Sequence, residues 1–346
     1  MKKVLKNIIY LCNSEKRASG GAKIIYHHSE IINNLNNYTS QVIHIGKKKT
    51  AKWKFSIKKK FNINLSYETG WQANEIEALK KFKYNWFSNK VSIKKDLKFN
   101  QYSDFVILPE IYAHLADDLL IKKNIKYAIF VQNGYSISFT SDQEKLNKAY
   151  SKASFILSYS EDITQCVKLT FPKLKTRIIK IKYSIEPPKK KNSARKKKLI
   201  TYMSRKLPQH SFHVVSFLKK HIPKEWSIKD LNNISEKEVY NNLHSSKIFL
   251  AFSNLEGLPL PPVEAALAGN YVIGYTGEGG KDYWKKPIFT AVYSGDIRFF
   301  VKKVLKKISG INLNKSAKSK QQKNLKKEFS KNNEILHIKK FLKRIS

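Results

Sequence analysis

Short apolar runs alternate with longer amphipathic segments along the first half of the chain. The runs at 8–12 and 41–45 have the length and composition of buried strands, and segment 24–35 between them repeats apolar residues at helical spacing. Later apolar runs of this half lie at 104–110, 127–133, 154–160 and 177–183. Strands that alternate with helices predict a parallel sheet covered by helices on both faces.

A second series of the same kind follows a polar segment. Residues 185–198 are rich in proline and lysine with almost nothing to bury, which is typical of a linker. Apolar runs then resume at 199–204, 247–252 and 271–275. The pattern predicts two α/β domains, at 1–184 and 199–310, followed by a basic C-terminal helix or tail at 311–346.

Composition indicates a globular protein of a reducing compartment. The 346 residues suffice for two domains, and 41% hydrophobic with 12% aromatic residues excludes a disordered chain. Cys12 and Cys166 lie far apart, which indicates neither a disulfide framework nor a zinc site. No apolar run approaches the roughly 18 residues of a membrane span. Because Lys6 interrupts the apolar start, we expect a strand there rather than a signal peptide, and a cytoplasmic protein.

The net charge of +41 would ordinarily indicate binding to nucleic acid or to an anionic membrane. Arginine, which is favoured for bidentate contacts with phosphate and guanine, supplies only six of the 67 basic residues. Nucleic acid is therefore the least favoured partner, and an AT-rich coding sequence is the favoured explanation for the lysines. Peripheral contact with an anionic membrane stays open, because Trp53, Phe55 and Phe61 lie among clustered lysines.

The stretch SNLEGLPLPPVEAALAGNYVIGYTGEGG, residues 253–280, predicts a binding site. The preceding strand is expected to end at Ser253, Pro261 at the first helical position favours a helix start, and Gly269 favours its end. This strand–loop–helix–strand unit places the helix N-terminus at the carboxyl edge of the sheet. Ligands of open α/β sheets bind at that edge, and the free N–H groups of a helix N-terminus attract phosphate.

Two glutamates flank the prolines of this stretch. Glu264 is expected in the first helical turn, where a carboxylate can accept hydrogen bonds from ribose hydroxyls, and Glu256 in the loop that enters the site. Gly277, Gly279 and Gly280 would let backbone N–H groups approach a pyrophosphate closely. The alternative is that Glu264 only stabilises the helix dipole and Glu256 lies in a solvated turn. The prolines, the helix and the glycine loop together favour the site.

The segment EGLPLPPVEAALAGNYVIGY resembles the E-x7-E segment of retaining GT-B glycosyltransferases of the group 1, or family 4, type. The specific match lies in 199–280, while the wider pattern covers most of the chain. The resemblance implies an α/β protein with two Rossmann-like domains facing a cleft, and it raises the option that the C-terminal helix crosses back to the first domain. It implies a nucleotide-diphospho-sugar donor, with Glu264 on the ribose, Glu256 against the donor sugar, and Gly257 and Leu258 in the same donor-binding segment. Retention of anomeric configuration is implied by the resemblance alone.

The family binds the donor diphosphate with an Arg and a Lys early in the second domain, which correspond to Arg205 and Lys206. The family commonly spaces this pair by several residues, whereas these two are adjacent, so one of them is expected to reach the phosphates. The planar fork of Arg205 favours it for this role. Two surface charges without a ligand are the alternative.

The first domain carries a second resemblance. The sequence SGGAK, with Gly20 and Gly21, resembles the Gly-rich first loop of GT-B enzymes, which lies near the donor phosphates; an ordinary loop is the alternative. Where many family members have a His near the reacting sugar, this chain offers Gln132 and Asn133, which can hydrogen-bond a sugar but cannot act as a general base. Glu110, at another strand end, is either an acceptor-side residue or a plain strand cap.

No Asp-x-Asp occurs in the sequence, so the metal anchor of the other main glycosyltransferase fold is missing and no metal or other cofactor is expected. We predict a metal-independent glycosyltransferase that moves a sugar from its nucleotide to a glycan or lipid-linked acceptor in surface polysaccharide synthesis, in the cytoplasm or peripherally on the inner membrane face. A GT-B sugar-nucleotide epimerase and a basic nucleic-acid-binding protein are the alternatives. The nucleotide base, the sugar and the acceptor stay open.

Overall fold

The computed structural model describes residues 6–15, 20–35, 37–47, 76–84, 90–139, 142–185, 196–311 and 315–345. The chain divides into two compact units. The first takes its residues from 1–158, 164–181 and 338–346, and the second from 159–163 and 182–337. Each unit contains a parallel sheet flanked by helices.

The first unit is built on a mainly parallel sheet. Its strands are β1 (Lys6–Asn13), β2 (Tyr38–Lys47), β3 (Ile76–Ala78), β4 (Ser92–Ile93), β5 (Asp104–Pro109), β6 (Lys126–Phe130), β7 (Phe155–Ser158) and β8 (Ile178–Lys180). Its helices are α1 (Gly20–Asn33), α2 (Ala116–Leu119), α3 (Gln143–Lys152) and α4 (Glu161–Thr170), with 3-10 turns at Glu110–Leu115, Ile121–Lys123 and Gly134–Phe139. Within the described residues the strand order is β3-β2-β1-β5-β6-β7-β8, β4 also pairs with β2, and β3 alone is antiparallel to its neighbour.

Every strand predicted in the first half is confirmed, with shifted ends. The central strand β1 is buried on both faces, as parallel sheets require, and Ile8, Ile9 and Leu11 are fully enclosed. The apolar run at 127–133 stops being a strand at Phe130. The polar end of that run therefore forms the turn at the carboxyl edge of the sheet.

The second unit has a smaller, wholly parallel sheet. Its strands are β9 (Leu199–Tyr202), β10 (Ser227–Asp230), β11 (Ile248–Glu256), β12 (Tyr271–Glu278) and β13 (Phe289–Ala291), in the order β10-β9-β11-β12-β13. Its helices are α5 (Pro208–His221), α6 (Glu236–Ser245), α7 (Leu260–Leu267), α8 (Ile297–Ser309), α9 (Lys315–Glu328) and the first part of α10 (Lys331–Ile345), with a 3-10 turn at Gly279–Asp282. Ile200, Leu250, Ile273 and Phe300 lie at the centre of its core.

The two strands of the candidate stretch are longer than predicted. The prediction that β11 ends at Ser253 is wrong, because the strand continues to Glu256. Its pairing with β12 shifts register between these two residues, as at a β-bulge, and the bulge lets the strand turn and still pair. Strand β12 continues to Glu278, so Gly277 lies on a strand rather than in a free loop.

The helix between these strands also starts earlier than predicted. Helix α7 begins at Leu260, so Pro261 is its second residue and Glu264 lies in its second turn, not in its first. A proline is tolerated there because the first N–H groups of a helix have no partner within the helix. Gly269, at φ +87°, follows the helix end as predicted.

Helix α10 ends in the first unit, which agrees with a C-terminal helix that crosses back. The ring of Phe341 is 1% exposed and lies 6.0 Å from the ring of Phe105 and 6.2 Å from that of Phe155. Tyr38 donates a hydrogen bond from its hydroxyl to the carbonyl of Leu342 at 3.3 Å. The end of the basic tail is therefore part of the first unit's core.

The structure tests only some of the predictions about a membrane and about the linker. Trp53, Phe55 and Phe61, the proposed aromatic patch, lie outside the described residues, as does most of the predicted linker. Among the helices that are described, none is long and apolar enough to cross a lipid bilayer.

Replacing Phe341 by Ala is expected to destabilise the first unit by about 3–5 kcal/mol, because it empties a buried aromatic site. Urea unfolding followed by circular dichroism measures this loss. Leu336→Ala is the matched control, since Leu336 lies on the same helix and is 48% exposed. Equal unfolding midpoints for the two variants would contradict the docking of this helix.

Candidate active site

The carboxyl ends of three neighbouring strands meet at one edge of the second sheet, because β9, β11 and β12 are parallel. Arg205 and Lys206 follow β9, Glu256 ends β11, and the turn containing Gly279 and Gly280 follows β12. The residues predicted from separate parts of this domain are therefore brought to the same edge.

Lys206 and Glu256 form an ion pair between the ends of β9 and β11. Lys206 Nζ lies 2.9 Å from Glu256 Oε1, with the side chains 42% and 20% exposed. A pair this exposed contributes about 0–1 kcal/mol, so it matters for placing charge rather than for stability. Arg205 is exposed and has no ion pair among the described residues, which leaves its guanidinium available to an anion.

Asp230, the last residue of β10, fixes the turn that carries these two cations. Its carboxylate accepts hydrogen bonds from the hydroxyl of Ser204 at 2.5 Å, from the amide of Ser204 at 3.3 Å and from the amide of Asn232 at 3.0 Å. Sequence reasoning missed this residue, because Asp is frequent in turns of every kind. Its position at a strand end was the available signal.

Two glycines, one on β12 and one directly after it, pack closely against the end of β11 and the turn that follows it. A Cβ on Gly279 would lie 1.8 Å from the carbonyl oxygen of Gly257, and one on Gly277 would lie 2.6 Å from the Cβ of Ser253. Gly277 also has a φ of +64°, which side chains rarely adopt. These glycines are required by the packing of the strand ends. Their approach to a pyrophosphate, together with that of Gly280, stays a prediction.

Glu278 has a strained backbone in the same turn. Its φ is 54° and its ψ is −72°, uncommon for a residue with a side chain. Such a conformation costs on the order of 1–3 kcal/mol and is found most often at binding and catalytic sites. Its carboxylate pairs with Lys281 Nζ at 2.5 Å. Sequence reasoning missed Glu278 because the glycines around it made the whole turn look unconstrained.

The start of α4 belongs to the second unit and lies against this edge. The hydroxyl of Ser160 donates to the carbonyl of Gly257 at 2.6 Å and accepts from the amide of Ile163 at 3.2 Å, as an N-cap does. The amide of Glu161 donates to Asp282 Oδ2 at 3.0 Å. A segment that the sequence pattern assigned wholly to the first domain therefore supports the turn after Glu256.

Glu264 is held from the side by helix α6. The hydroxyl of Tyr240 donates to Glu264 Oε1 at 2.9 Å. Burial raises the pKa of Tyr240 above its usual range, and the Glu264 carboxylate raises it further. The tyrosine therefore stays protonated and orients the carboxylate as a hydrogen-bond donor.

Two more buried tyrosines lie near the glutamates. Burial raises the pKa of Tyr183 well above its usual range, and several neighbours add to this shift, namely Tyr283, Glu264, Glu334 and Glu256. Burial also raises the pKa of Tyr283, with Glu256 adding to it, and its hydroxyl donates to the carbonyl of Pro259 at 2.7 Å. Glu256 and Glu264 thus share a neighbour, Tyr183, whose hydroxyl stays neutral.

In the first unit, the predicted residues also come together. The side-chain amide of Gln132 donates to the carbonyl of Gly21 at 3.1 Å, where α1 begins at Gly20. A Cβ on Gly21 would lie 2.1 Å from Gln132 Oε1, so only glycine allows this contact. Glu110 accepts from the amides of Gln132 at 2.9 Å and Asn133 at 3.0 Å, which is the hydrogen bonding of a strand cap.

Comparison with solved structures finds likenesses that extend over the whole chain. Sucrose-phosphate synthase from Thermosynechococcus elongatus has a TM-score of 0.66 at 8% identity, covering 98% of this chain and 99% of that one. The S. aureus protein TarM has a TM-score of 0.65 at 10% identity, and the match covers 99% of each chain. The apo lipopolysaccharide outer core galactosyltransferase WaaB has a TM-score of 0.58 at 13% identity, covering 98% of this chain and 99% of that one.

These likenesses show the fold. Two Rossmann-like domains with parallel sheets are those of the GT-B glycosyltransferases, and the predicted fold class is confirmed. No protein-family model matches the chain, and no curated protein matches it by sequence.

The raised pKa of Glu110 should be measurable through the pH dependence of the protein's stability. Burial raises the pKa of its carboxyl from 4.5 to about 7 against the opposing hydrogen bonds from the two amides. Because the folded-state value is the higher one, the stabilisation is complete below about 4.5 and is lost as the pH rises through about 7. We expect a loss of roughly 3 kcal/mol across this range, absent in Glu110→Gln.

Chemical unfolding of both proteins between pH 4 and pH 8 measures the two slopes. The slope is the readout, because the amide of the variant does not titrate between pH 4 and pH 8, so any constant difference in stability between the two proteins does not affect it. Parallel curves for parent and variant would show that Glu110 titrates as an ordinary carboxyl.

Proposed function

We propose that this protein is a glycosyltransferase that transfers a sugar from a nucleotide-diphospho-sugar to a glycan or lipid-linked acceptor. The observation that carries the proposal is the Lys206–Glu256 ion pair at the carboxyl edge of the second sheet. It sets a cation and a carboxylate between strand ends, where ligands of open α/β sheets bind. The GT-B fold supports this assignment of the edge.

The donor's ribose is assigned to Glu264. One carboxylate oxygen accepts from Tyr240, which fixes the plane of the carboxylate, and carboxylate oxygens are suited to accept hydrogen bonds from ribose hydroxyls. The turn of Gly257 and Leu258 lies between the two glutamates in the chain, and the Gly279 contact fixes its position. A preformed turn lowers the ordering cost of donor binding.

Charge on the departing diphosphate is assigned to Arg205 and Lys206. As the sugar–phosphate bond breaks, negative charge develops on the leaving oxygen, and fixed cations stabilise it without reorganisation. Arg205 can grip two phosphate oxygens at once, whereas Lys206 acts as a point charge already partnered by Glu256. We assign Glu256 to face the donor sugar, as the resemblance implies. Retention of configuration belongs to the proposal through the resemblance alone.

The first unit is assigned the sugar and acceptor side. Gln132 and Asn133 carry amides that can hydrogen-bond sugar hydroxyls, and Gly20 and Gly21 begin a helix whose free N–H groups suit a phosphate. Glu110 is 4% exposed and both its oxygens accept backbone amides, so it is assigned to hold this turn. The epimerase alternative gains nothing from it, because that chemistry requires an accessible acid or base.

Two of the similar proteins support a surface glycan as the acceptor. WaaB is described as a lipopolysaccharide outer core galactosyltransferase, and a TarM mutant was solved with UDP and alpha-GlcNAc-glycerol. We extend their substrate class to this chain as part of the proposal, with a metal-independent reaction in surface polysaccharide synthesis. Association with the inner membrane face would suit a lipid-linked acceptor.

The proposal is tested by calorimetry with a panel of UDP-, GDP- and ADP-sugars. One of them should bind saturably, and Glu264→Ala should weaken it by about 1.5–3 kcal/mol, the value of a hydrogen bond to a charged group. The matched control is Glu225→Ala, which removes an exposed carboxylate that pairs with Lys198. No saturable binding by any sugar nucleotide would overturn the proposal, and unchanged affinity in Glu264→Ala would overturn the ribose assignment.

Arg205→Ala should lower the affinity for a nucleoside diphosphate at least tenfold and leave the affinity for the nucleoside unchanged, because we expect the guanidinium to contact only phosphate. Binding should persist in EDTA, since among the described residues no three His, Cys, Asp or Glu side chains are grouped as metal ligands. Arg298→Ala removes an exposed arginine on α8 and serves as the control. Equal losses for both ligands, or loss of binding in EDTA that magnesium restores, would contradict the assignment of the charge to side chains.

A further inference from the structure

A charged cavity lies at the opposite edge of the same sheet. It has a volume of about 310 Å³ and is lined in part by Lys196, Lys247, Lys318 and Tyr271. Tyr271 is the first residue of β12, and its amide donates to the carbonyl of Lys247, just before β11. At about 3.3 Å per residue, the length of β12 separates this cavity from the donor edge by roughly 20 Å.

Lysines cluster at this cavity, and we call the group the lysine pocket: Lys196, Lys247 and Lys318, which line the cavity, and Lys307, which contacts the ring of the lining residue Tyr271. The Nζ of Lys307 lies 4.2 Å from the centre of the Tyr271 ring, and the Nζ of Lys318 lies 3.9 Å from it. Both distances are those of cation–π contacts. Two ammonium groups on one ring are therefore close enough to repel each other.

Carboxylates do not offset this repulsion in the described part of the chain, where neither Lys307 nor Lys318 has an ion pair. Burial lowers the pKa of Lys307. Burial lowers the pKa of Lys318 to about 8, and the charge of Lys307 adds to the shift. All four lysines are partly buried, in a protein whose lysines mostly face solvent. Burial and mutual repulsion therefore destabilise the charged forms of Lys307 and Lys318.

Helix ends hold the lysines in position. Lys318 Nζ donates to the carbonyl of Gly269 at 2.8 Å, just beyond α7. Lys196 Nζ donates to the carbonyls of Leu243 at 3.1 Å and Ser246 at 2.6 Å, at the end of α6. The negative ends of helix dipoles attract such cations. Each ammonium has three donors, so Lys318 keeps donors that this carbonyl does not use.

We propose that the lysine pocket is a binding site for a phosphate group, supplied either as a free phosphate or as a phosphomonoester lipid headgroup. A phosphate dianion offers several acceptor oxygens and enough charge to neutralise the repulsion between Lys307 and Lys318. The cavity volume is several times the roughly 30 Å³ of one water, so it admits a group with several oxygens.

Occupation of the pocket would also strengthen the docking of α9. Lys318 lies on α9, and Gln322 of the same helix donates to the carbonyls of Ala266 at 3.1 Å and Leu267 at 2.8 Å, at the end of α7. A ligand that binds only the folded state stabilises it by RT ln(1 + [L]/Kd), and the unfolding temperature therefore rises with ligand concentration. The site therefore has a readout that is independent of sugar transfer.

The test is titration of the full chain with inorganic phosphate at constant ionic strength, followed by calorimetry and thermal unfolding. The parent should bind saturably and unfold at a higher temperature, and Lys307→Gln with Lys318→Gln should weaken binding at least tenfold. Lys302→Gln with Lys306→Gln is the matched control, because both lysines are exposed on α8 and the change in net charge is equal. Lys307→Gln alone keeps the contact of Lys318 with Gly269 and should weaken binding without unfolding the protein.

Two further arms separate the sources and the sites. In an Arg205→Ala background, the loss of phosphate affinity caused by Lys307→Gln with Lys318→Gln should persist, because Arg205 lies at the other edge of the sheet. Pocket-dependent binding to phosphatidic acid vesicles, but not to phosphatidylcholine vesicles, would identify a lipid headgroup, whereas binding of inorganic phosphate alone would identify a free anion. The proposal is overturned if neither binds, or if the pocket variant binds as tightly as the control variant.

Discussion

The contact between Gly279 and the carbonyl of Gly257 holds together the two strand ends of the candidate site in the second unit. A Cβ at position 279 would lie 1.8 Å from that oxygen, so the turns after β11 and β12 can meet only through glycine. Because they meet, β11 stays paired as far as Glu256, past the shift of register, and its carboxylate reaches Lys206. The strained backbone of Glu278 directly precedes Gly279 in the same turn. The close packing at Gly277 and Gly279 thus brings the charged ends of the two strands together.

A segment that is distant in sequence supports this edge, and the two units are not continuous in the chain. Ser160 holds the carbonyl of Gly257 from the start of α4, and α4 then continues into the first unit. Helix α10 does the same in the other direction, since its first half belongs to the second unit and Phe341 to the core of the first. Each unit therefore depends on a piece of chain whose remainder belongs to the other.

The fold was predictable from the sequence, because parallel strands that are buried on both faces consist of continuous apolar runs such as Ile8–Cys12. It predicted the residues of the candidate edge through spacing and resemblance, but it misplaced their elements. Glu256 was expected in a loop and Glu264 in a first helical turn, whereas the bulge extends the strand and α7 starts at Leu260. The contributions of Ser160 and Asp230 escaped sequence reasoning because each depends on a partner in another strand or turn.

Net charge conveys little about function here, because the same residue type has opposite roles at the two edges of one sheet. At the carboxyl edge, Glu256 neutralises Lys206, while Arg205 has no ion pair within the described part of the chain. At the amino edge, Lys307 and Lys318 are held by an aromatic ring and by a helix-end carbonyl, neither of which carries a full negative charge. An aromatic face and a carbonyl dipole stabilise a cation without neutralising it, so the field of these lysines stays available to an anion. The partner of a lysine, rather than the number of lysines, therefore decides whether a basic surface is inert or able to bind.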